Sequence, residues 1–157
     1  MLNQRQLSFL EMAAAAAVKE SGLPPELTVT QAILESGYGQ HCPGNNCFGI
    51  KARSGEPYTR KTTTEFIHGQ EVHLEQDFES FPTLADAFAR HNQLIQSAAP
   101  YRAAIEQYRA GGDVPTLIRG VAAHYATDPN YADKILALSS RADVQAAIAK
   151  ARNDQSA

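Results

Sequence analysis

Glu35 is the residue in this 157-residue chain whose surroundings most favour chemistry. Leu27, Ile33 and Leu34 follow the Pro24-Pro25 break at the spacing of a short amphipathic helix, which runs into the stretch QAILESGYGQ (31–40). Gly37 and Gly39 supply the backbone freedom that ends it, so Glu35 falls in the last turn. There the macrodipole presents partial negative charge, and an apolar turn alongside disfavours ionisation further. Both effects raise the carboxyl pKa, the property that a general acid needs near neutral pH. Read alone, a glutamate in the last turn of a helix is as a rule a solvated surface residue.

A second carboxylate stands where the periodicity changes. From Phe48 to Phe78 the pattern has a period of two, with Tyr58, Thr62, Thr63, Thr64, Phe66, Ile67 and Val72 as strand formers and His68-Gly69-Gln70 as the turn. This predicts an antiparallel hairpin over 58–67 and 71–78, with 48–52 as a candidate third strand. Alternation puts Thr63, Glu65 and Ile67 on one face and Thr62, Thr64 and Phe66 on the other. Glu65 is then able to point into a cleft while Phe66 anchors the hairpin. The plain alternative is a solvated strand residue beside Glu71, Glu75 and Asp77.

Four blocks, QAILESGYGQ (31–40), GNNCFGIKA (44–52), KTTTEF (61–66) and HYATDPNYADKI (124–135), resemble in that order the motifs of the bacterial glucosaminidases, glycoside hydrolase family 73. The likeness is greatest to the flagellar peptidoglycan-hydrolase branch and to phage-type cell-wall lysins, and it covers about Phe9 to Ser139. It implies a lysozyme-like fold and cleavage of the β-1,4 bond between N-acetylglucosamine and N-acetylmuramic acid in peptidoglycan. Such a reaction passes through a cationic sugar, so it needs an acid for the leaving oxygen and a group that supports the developing charge. The resemblance gives Glu35 the first role. It gives Glu65, the glutamate after the threonine run, the second, as base for a water or as stabiliser.

Tyr125, the tyrosine of the Y-A-T-D-P motif, is implied to lie in the cleft and to orient the 2-acetamido group or the water. If the acetamido oxygen itself attacks the anomeric carbon, Glu65 becomes a supporter, and the sequence leaves both mechanisms open. An N-acetylmuramidase or lytic transglycosylase shares the fold and the E-S-G acid and is the enzymatic competitor. The third reading is a cell-wall-binding module without activity, and the presence of both glutamates argues against it.

Tyr38, Phe48 and Tyr131 are candidate sugar-stacking walls, with packing as the equal alternative, and Asn46 either shapes the cleft or serves turn chemistry. Cys42 and Cys47 enclose Pro43-Gly44-Asn45-Asn46. A sharp turn would close them as a disulfide suited to an oxidising compartment, and two free thiols are the alternative. The commoner family pattern has an apolar residue at the place of Cys47. With only His41 nearby, the two sulfurs fall short of a four-ligand zinc set, so neither metal nor cofactor is expected. His68 and His73 read as surface residues, and His91 as a core histidine on an apolar stripe.

The elements that must position these groups are mostly helical. Leu7, Leu10, Ala14, Ala17 and Val18 recur at helical spacing within a first helix over 4–20. After the hairpin, Thr83 is a plausible N-cap with Asp86 three residues on, and Leu84, Phe88, His91 and Ile95 make one stripe. Further helices are predicted over about 101–110, 115–125, 130–139 (capped by Asp128 or Asn130) and 141–151, with 152–157 frayed. The fold class is therefore α+β and mostly α, a lysozyme-like helical domain spanning 1–157 with a β-lobe at about 48–78 beside the cleft.

Composition narrows the partners. Fourteen Lys and Arg against 17 Asp and Glu give a net charge of −3, without the basic excess that nucleic-acid binding requires. No apolar run reaches membrane-spanning length. The apolar start, Leu7 to Val18, is interrupted by Glu11 and followed by Lys19 and Glu20 instead of a cleavage site, so it reads as a folded helix and not a secretory signal. The expectation is a monomer acting on glycan strands in the periplasm or cell wall, delivered by a secretion partner or excised from a larger protein.

Overall fold

The computed structural model describes residues 1–157. In chain order it holds α1 (Gln4–Val18), α2 (Pro25–Ser36), a 3₁₀ turn (Pro43–Asn45), β1 (Tyr58–Ile67), β2 (Gln70–Glu79), α3 (Leu84–Ser97) and a second 3₁₀ turn (Ala99–Tyr101). Four helices complete it: α4 (Arg102–Arg109), α5 (Val114–Tyr125), α6 (Tyr131–Ser139) and α7 (Ala142–Ser156).

Helix α2 is the axis of the helical part. Its residues Leu27 to Ile33 are buried without interruption, because the helix packs on both sides. Val29, Ala32 and Ile33 join α1, α7, Phe48 and Phe88 in one apolar cluster, and Leu27 joins Leu23, Ile95 and the apolar faces of α4, α5 and α6 in a second. Two of its buried hydroxyls are satisfied within the segment: Thr30 Oγ1 donates to the Glu26 carbonyl at 2.6 Å, and Ser36 Oγ donates to the Ala32 carbonyl at 2.6 Å. Pro25 at the first turn needs no N–H partner, and Gly37 closes the helix in the left-handed conformation (φ 57°). Two residues on, Gly39 (φ 82°) passes so close to Phe9 that a Cβ would lie 2.5 Å from the ring. The chain therefore turns away from α2 directly after Glu35 and leaves that side chain at a free end.

The buried face of α1, packed against α2 and α7, is Phe9, Leu10, Ala13, Ala14 and Ala17, and Leu7 lies at its edge with 37% exposure. Small side chains on this face permit close helix approach. Burying one residue such as Leu10 contributes about 1.5–3 kcal/mol.

The hairpin pairs Tyr58 with Glu79 through to Ile67 with Gln70. His68 (φ 51°) and Gly69 (φ 76°) are both left-handed, as a two-residue hairpin turn requires. The candidate strand over 48–52 reduces to a single bridge, Lys51 to Phe78, because Gly49 (φ 67°) breaks the extended run. Phe66 does not anchor the hairpin: it is 76% exposed on the face turned away from the helices. The hairpin is tied at its base instead, where the half-buried pair Arg90 and Glu79 lie 3.6 Å apart and Thr59 meets Ser80 at 2.8 Å.

Capping explains the remaining boundaries. Thr83 Oγ1 accepts from the Asp86 N–H at the start of α3, and Asp113 accepts from the Thr116 N–H at the start of α5. Asn130 occupies the N-cap of α6 without a side-chain bond, while the Asp128 carboxylate takes the Asn130 N–H at 2.8 Å and Lys134 at 2.6 Å. The end of α7 is helical to Ser156, not frayed from 152. Ala151 is buried and Arg152 lies 3.6 Å from Glu26 of α2, while the residues after it are exposed.

Candidate active site

The free end of α2, the 46–51 loop, α3, α5 and the hairpin enclose a cleft with Glu35 in its floor. Two hollows, of about 600 and about 170 Å³, adjoin there, and Glu35, Gly49 and Phe78 line both. The larger is walled by apolar and aromatic side chains, among them Ile50, Ile95, Tyr101 and Tyr125, with Glu65 and Gln76 on its hairpin side. The smaller is polar, lined by His41, Lys61, Thr62 and Thr63 among others. A chain of sugars lying along both would cross Glu35.

Glu35 is open to solvent at the cleft, yet enough protein surrounds its carboxyl that desolvation raises the pKa. The neighbouring Tyr131 hydroxyl opposes that rise, since a donor beside the carboxyl favours the ionised form. Behind Tyr131 lies a buried polar series. Gln31 Nε2 donates to the Tyr131 hydroxyl oxygen at 3.3 Å, and Gln31 Oε1 stands 2.8 Å from His91 Nε2. An amide oxygen only accepts, so in this arrangement Nε2 of His91 carries the hydrogen. Burial lowers the His91 pKa to about 3 and keeps the ring neutral.

Tyr125 reaches the cleft from the last turn of α5. Its hydroxyl donates to the Phe48 carbonyl at 3.2 Å, and desolvation together with the charge of Glu35 holds its pKa well above the usual value. The group stays a neutral phenol with lone pairs left over to accept. Glu65 lies across the cleft on the exposed hairpin face, and Gln76 Nε2 donates to its Oε1 at 3.1 Å. Strand alternation does place Thr63 and Glu65 together, with Gln76 reaching both.

Three candidate binding residues are packing residues in the structure. Phe48 borders the larger hollow, but its ring is packed, 3% exposed, stacked on His91 at 4.1 Å and edge-on to Phe88 at 4.9 Å. Tyr131 is 4% exposed and its ring is covered by Tyr125 at 5.7 Å, so it acts through its hydroxyl. Tyr38 (φ 55°) lies outside both hollows, where Arg5 donates to its carbonyl at 2.8 Å and Arg141 and Asp143 are its charged neighbours. The glycine-driven reversal after Glu35 carries it to the α1–α7 side.

Asn46 borders the smaller hollow, but its amide is committed to the backbone. Nδ2 donates to the Ile50 and Glu79 carbonyls at 2.8 and 3.0 Å, and Oδ1 accepts from the Phe48 and Ile50 N–H groups at 3.2 Å each. It pins the loop that presents the Phe48 carbonyl to Tyr125. Cys42 and Cys47 are joined in a disulfide across the 3₁₀ turn beside it (S–S 2.07 Å). No three His, Cys, Asp or Glu side chains converge as a metal-binding group.

Residues 11–143 match the family described as mannosyl-glycoprotein endo-β-N-acetylglucosaminidase, the glucosaminidases. The chain belongs to the glucosaminidase family, glycoside hydrolase family 73. It is 36% identical over 138 residues to the peptidoglycan hydrolase FlgJ of Vibrio parahaemolyticus, covering 82% of this chain and 44% of that protein. The chain thus spans less than half the length of this relative. Among solved structures, it is similar to a C-terminally truncated glycoside hydrolase domain of Salmonella typhimurium FlgJ (TM-score 0.63, 31% identity, 85% of this chain and 93% of that one). A peptidoglycan hydrolase mutant from Sphingomonas sp. A1 superposes with TM-score 0.73 at 25% identity, over 94% of this chain and 99% of that one.

Within this glucosaminidase-family cleft, sequence reasoning overlooked Gln31, Gln76 and the partnership of His91. Gln31 lies one helical turn before Glu35, on the same face, and Gln76 shares the cleft side of the hairpin by pairing parity. Those two were detectable from periodicity, whereas the contact of His91 with Gln31 is a product of tertiary packing.

Proposed function

We propose that this chain is a peptidoglycan hydrolase that cleaves the β-1,4 bond between N-acetylglucosamine and N-acetylmuramic acid. The observation that carries the reading is the position of Glu35, a carboxyl raised in pKa by desolvation at the junction of two hollows that together suit an extended glycan. In this reading Glu35 protonates the leaving oxygen, and Glu65 activates water or supports the cationic sugar from the other side of the cleft. Because the Tyr125 proton is engaged by Phe48, its hydroxyl oxygen is the acceptor offered to the substrate. It suits the acetamido N–H of the sugar, whose orientation it would fix whether water or the acetamido oxygen attacks. The hairpin that carries Glu65 is tied mainly at its base, so closure around a glycan can bring it nearer to Glu35.

The relatives are named as peptidoglycan hydrolases, and we assign peptidoglycan of the periplasm or cell wall to this chain as its site of action. Analysis of fragments released from purified peptidoglycan tests the bond assignment. Reducing-end N-acetylglucosamine is the expected product. Reducing-end or anhydro-muramic acid would instead make it a muramidase or a lytic transglycosylase.

A further inference from the structure

The two hollows that meet at Glu35 differ in charge. The larger is lined by Lys51 with two carboxyl groups, Glu35 and Glu65, and its one histidine, His91, is buried and neutral. The smaller is lined by Lys61 and His41, with Glu35 as its sole carboxyl group. We propose that Lys61 determines specificity there, by pairing with a carboxylate that the substrate carries through the lactyl ether on O3 of a muramyl residue. That this residue is the leaving sugar rests on the reading of the chain as a glucosaminidase.

Lys61 precedes Thr63 and Glu65 by two and four positions on β1, so alternation gives it the same, cleft-facing side of the hairpin. An exposed lysine ordinarily serves solvation alone, but the neighbours of this one are engaged elsewhere. Across the ladder it faces Gln76, whose amide is held by Thr63 and Glu65. The adjacent Asp77 takes the Arg60 guanidinium at 2.8 Å. Lys61 itself enters none of the ion pairs of the structure. The hollow beside the acid therefore offers an ammonium without a counter-ion, which suits an anionic group of the substrate.

N-acetylglucosamine is neutral, whereas N-acetylmuramic acid bears its lactyl group on O3, next to O4, the scissile oxygen when that sugar leaves. The lactyl carboxylate is free where the stem peptide has been removed. Where the peptide is present, its own carboxylates extend from the same point. Tyr125 and Glu65, the groups assigned to the sugar that becomes cationic, line the larger hollow and not the smaller. The leaving sugar therefore falls in the smaller, with its O3 substituent starting beside Glu35 on the Lys61 side. A carboxylate there meets an ammonium, whereas in the larger hollow it would meet the charge of Glu65, so the two hollows discriminate between the alternating sugars.

Two soluble probes test this, glycan strands bearing stem peptides and strands stripped of them by an amidase, each compared with its methyl ester, in which the carboxylate charge is gone. Wild type should prefer the carboxylate form in kcat/KM, and Lys61→Met should lower that preference about fivefold at low ionic strength. Lys61→Arg, which keeps the charge, should restore it. A Lys61-dependent preference seen only with stem peptides supports the proposal with the peptide as the source of the carboxylate, and one seen with stripped strands supports it with the lactyl group as the source. A preference that Lys61→Met leaves unchanged on both probes overturns it. Isothermal titration of the same probes into Glu35→Gln, with and without Lys61→Met, decides the matter even if the wild type releases no glycan. Weaker binding of the carboxylate forms alone supports the proposal, and equal weakening of acid and ester, or none, overturns it. The ends of the released fragments judge the glucosaminidase reading separately: muramic acid at the reducing end would overturn that reading, while a Lys61-dependent preference in the same digests would still support the carboxylate site.

Discussion

Gln76 Nε2 lies 3.1 Å from Glu65 Oε1 and 2.7 Å from Thr63 Oγ1, so one amide on β2 holds the cleft-facing side chains of β1 together. An exposed carboxylate on a two-stranded hairpin would otherwise sample several rotamers. We expect Glu65→Gln to lower kcat by about 10²-fold or more and Gln76→Leu by about tenfold. If Gln76 acts through Glu65, adding Gln76→Leu to Glu65→Gln produces no further loss, a coupling that a double-mutant cycle measures. Losses that multiply would show that Gln76 has an independent role.

Tyr131→Phe should move the pH dependence of kcat. Glu35 works as an acid only when protonated, so activity falls as pH rises through its pKa. The neighbouring Tyr131 hydroxyl lowers that pKa, because a donor beside the carboxyl favours the ionised form. Removing it raises the pKa and carries the basic limb to higher pH. A limb that stays in place or moves down contradicts the role assigned to Tyr131.

Asn46→Ala tests the loop. Four hydrogen bonds link this side chain to the backbone of Phe48, Ile50 and Glu79, all in a buried setting. Leaving those groups unpaired should cost about 2–4 kcal/mol in urea denaturation. Activity should fall as well, because the Phe48 carbonyl that receives the Tyr125 proton is no longer held. A stability change below about 0.5 kcal/mol, the range of ordinary surface substitutions, would contradict the reading of Asn46 as the pin.

His91 makes a separate contribution to stability against pH. Its pKa falls from 6.5 to about 3 on folding, so the unfolded chain binds the extra proton between those values. Stability is then full above pH 6.5 and declines as pH falls toward 3, with a slope of up to about 1.4 kcal/mol per pH unit. Comparing wild type with His91→Gln between pH 6.5 and 5 isolates this contribution from those of the carboxylates. The variant should show the shallower slope, and equal slopes would contradict a neutral buried His91.

Much of this arrangement was legible in the sequence, for identifiable reasons. Glu35 could be placed because prolines start α2 and glycines stop it, and alternation along the threonine run put Glu65 on the same face as Thr63, while the choice of that face for the cleft came from the family resemblance. Periodicity does not say what an aromatic ring rests on, and so it left Phe48 and Tyr131 equally open as cleft walls or packing residues, whereas in the structure their rings stack on His91 and Tyr125. The reversal at Gly37 and Gly39 was visible as a helix stop, but not that it would carry Tyr38 away to α1 and α7. Phe66 shows the same limit, since alternation gives a face without saying whether anything packs there. The bond between Gln31 and His91 joins residues 60 positions apart, beyond the reach of local patterns.

The measurement that bears most directly on the account is mass spectrometry of fragments released from purified peptidoglycan by wild type and by Glu35→Gln, with thermal unfolding of both. The account predicts reducing-end N-acetylglucosamine from the wild type, at least about 10²-fold less from the variant, and matching unfolding transitions. Undiminished release by a folded Glu35→Gln protein would contradict it, since the acid would then have to be another group.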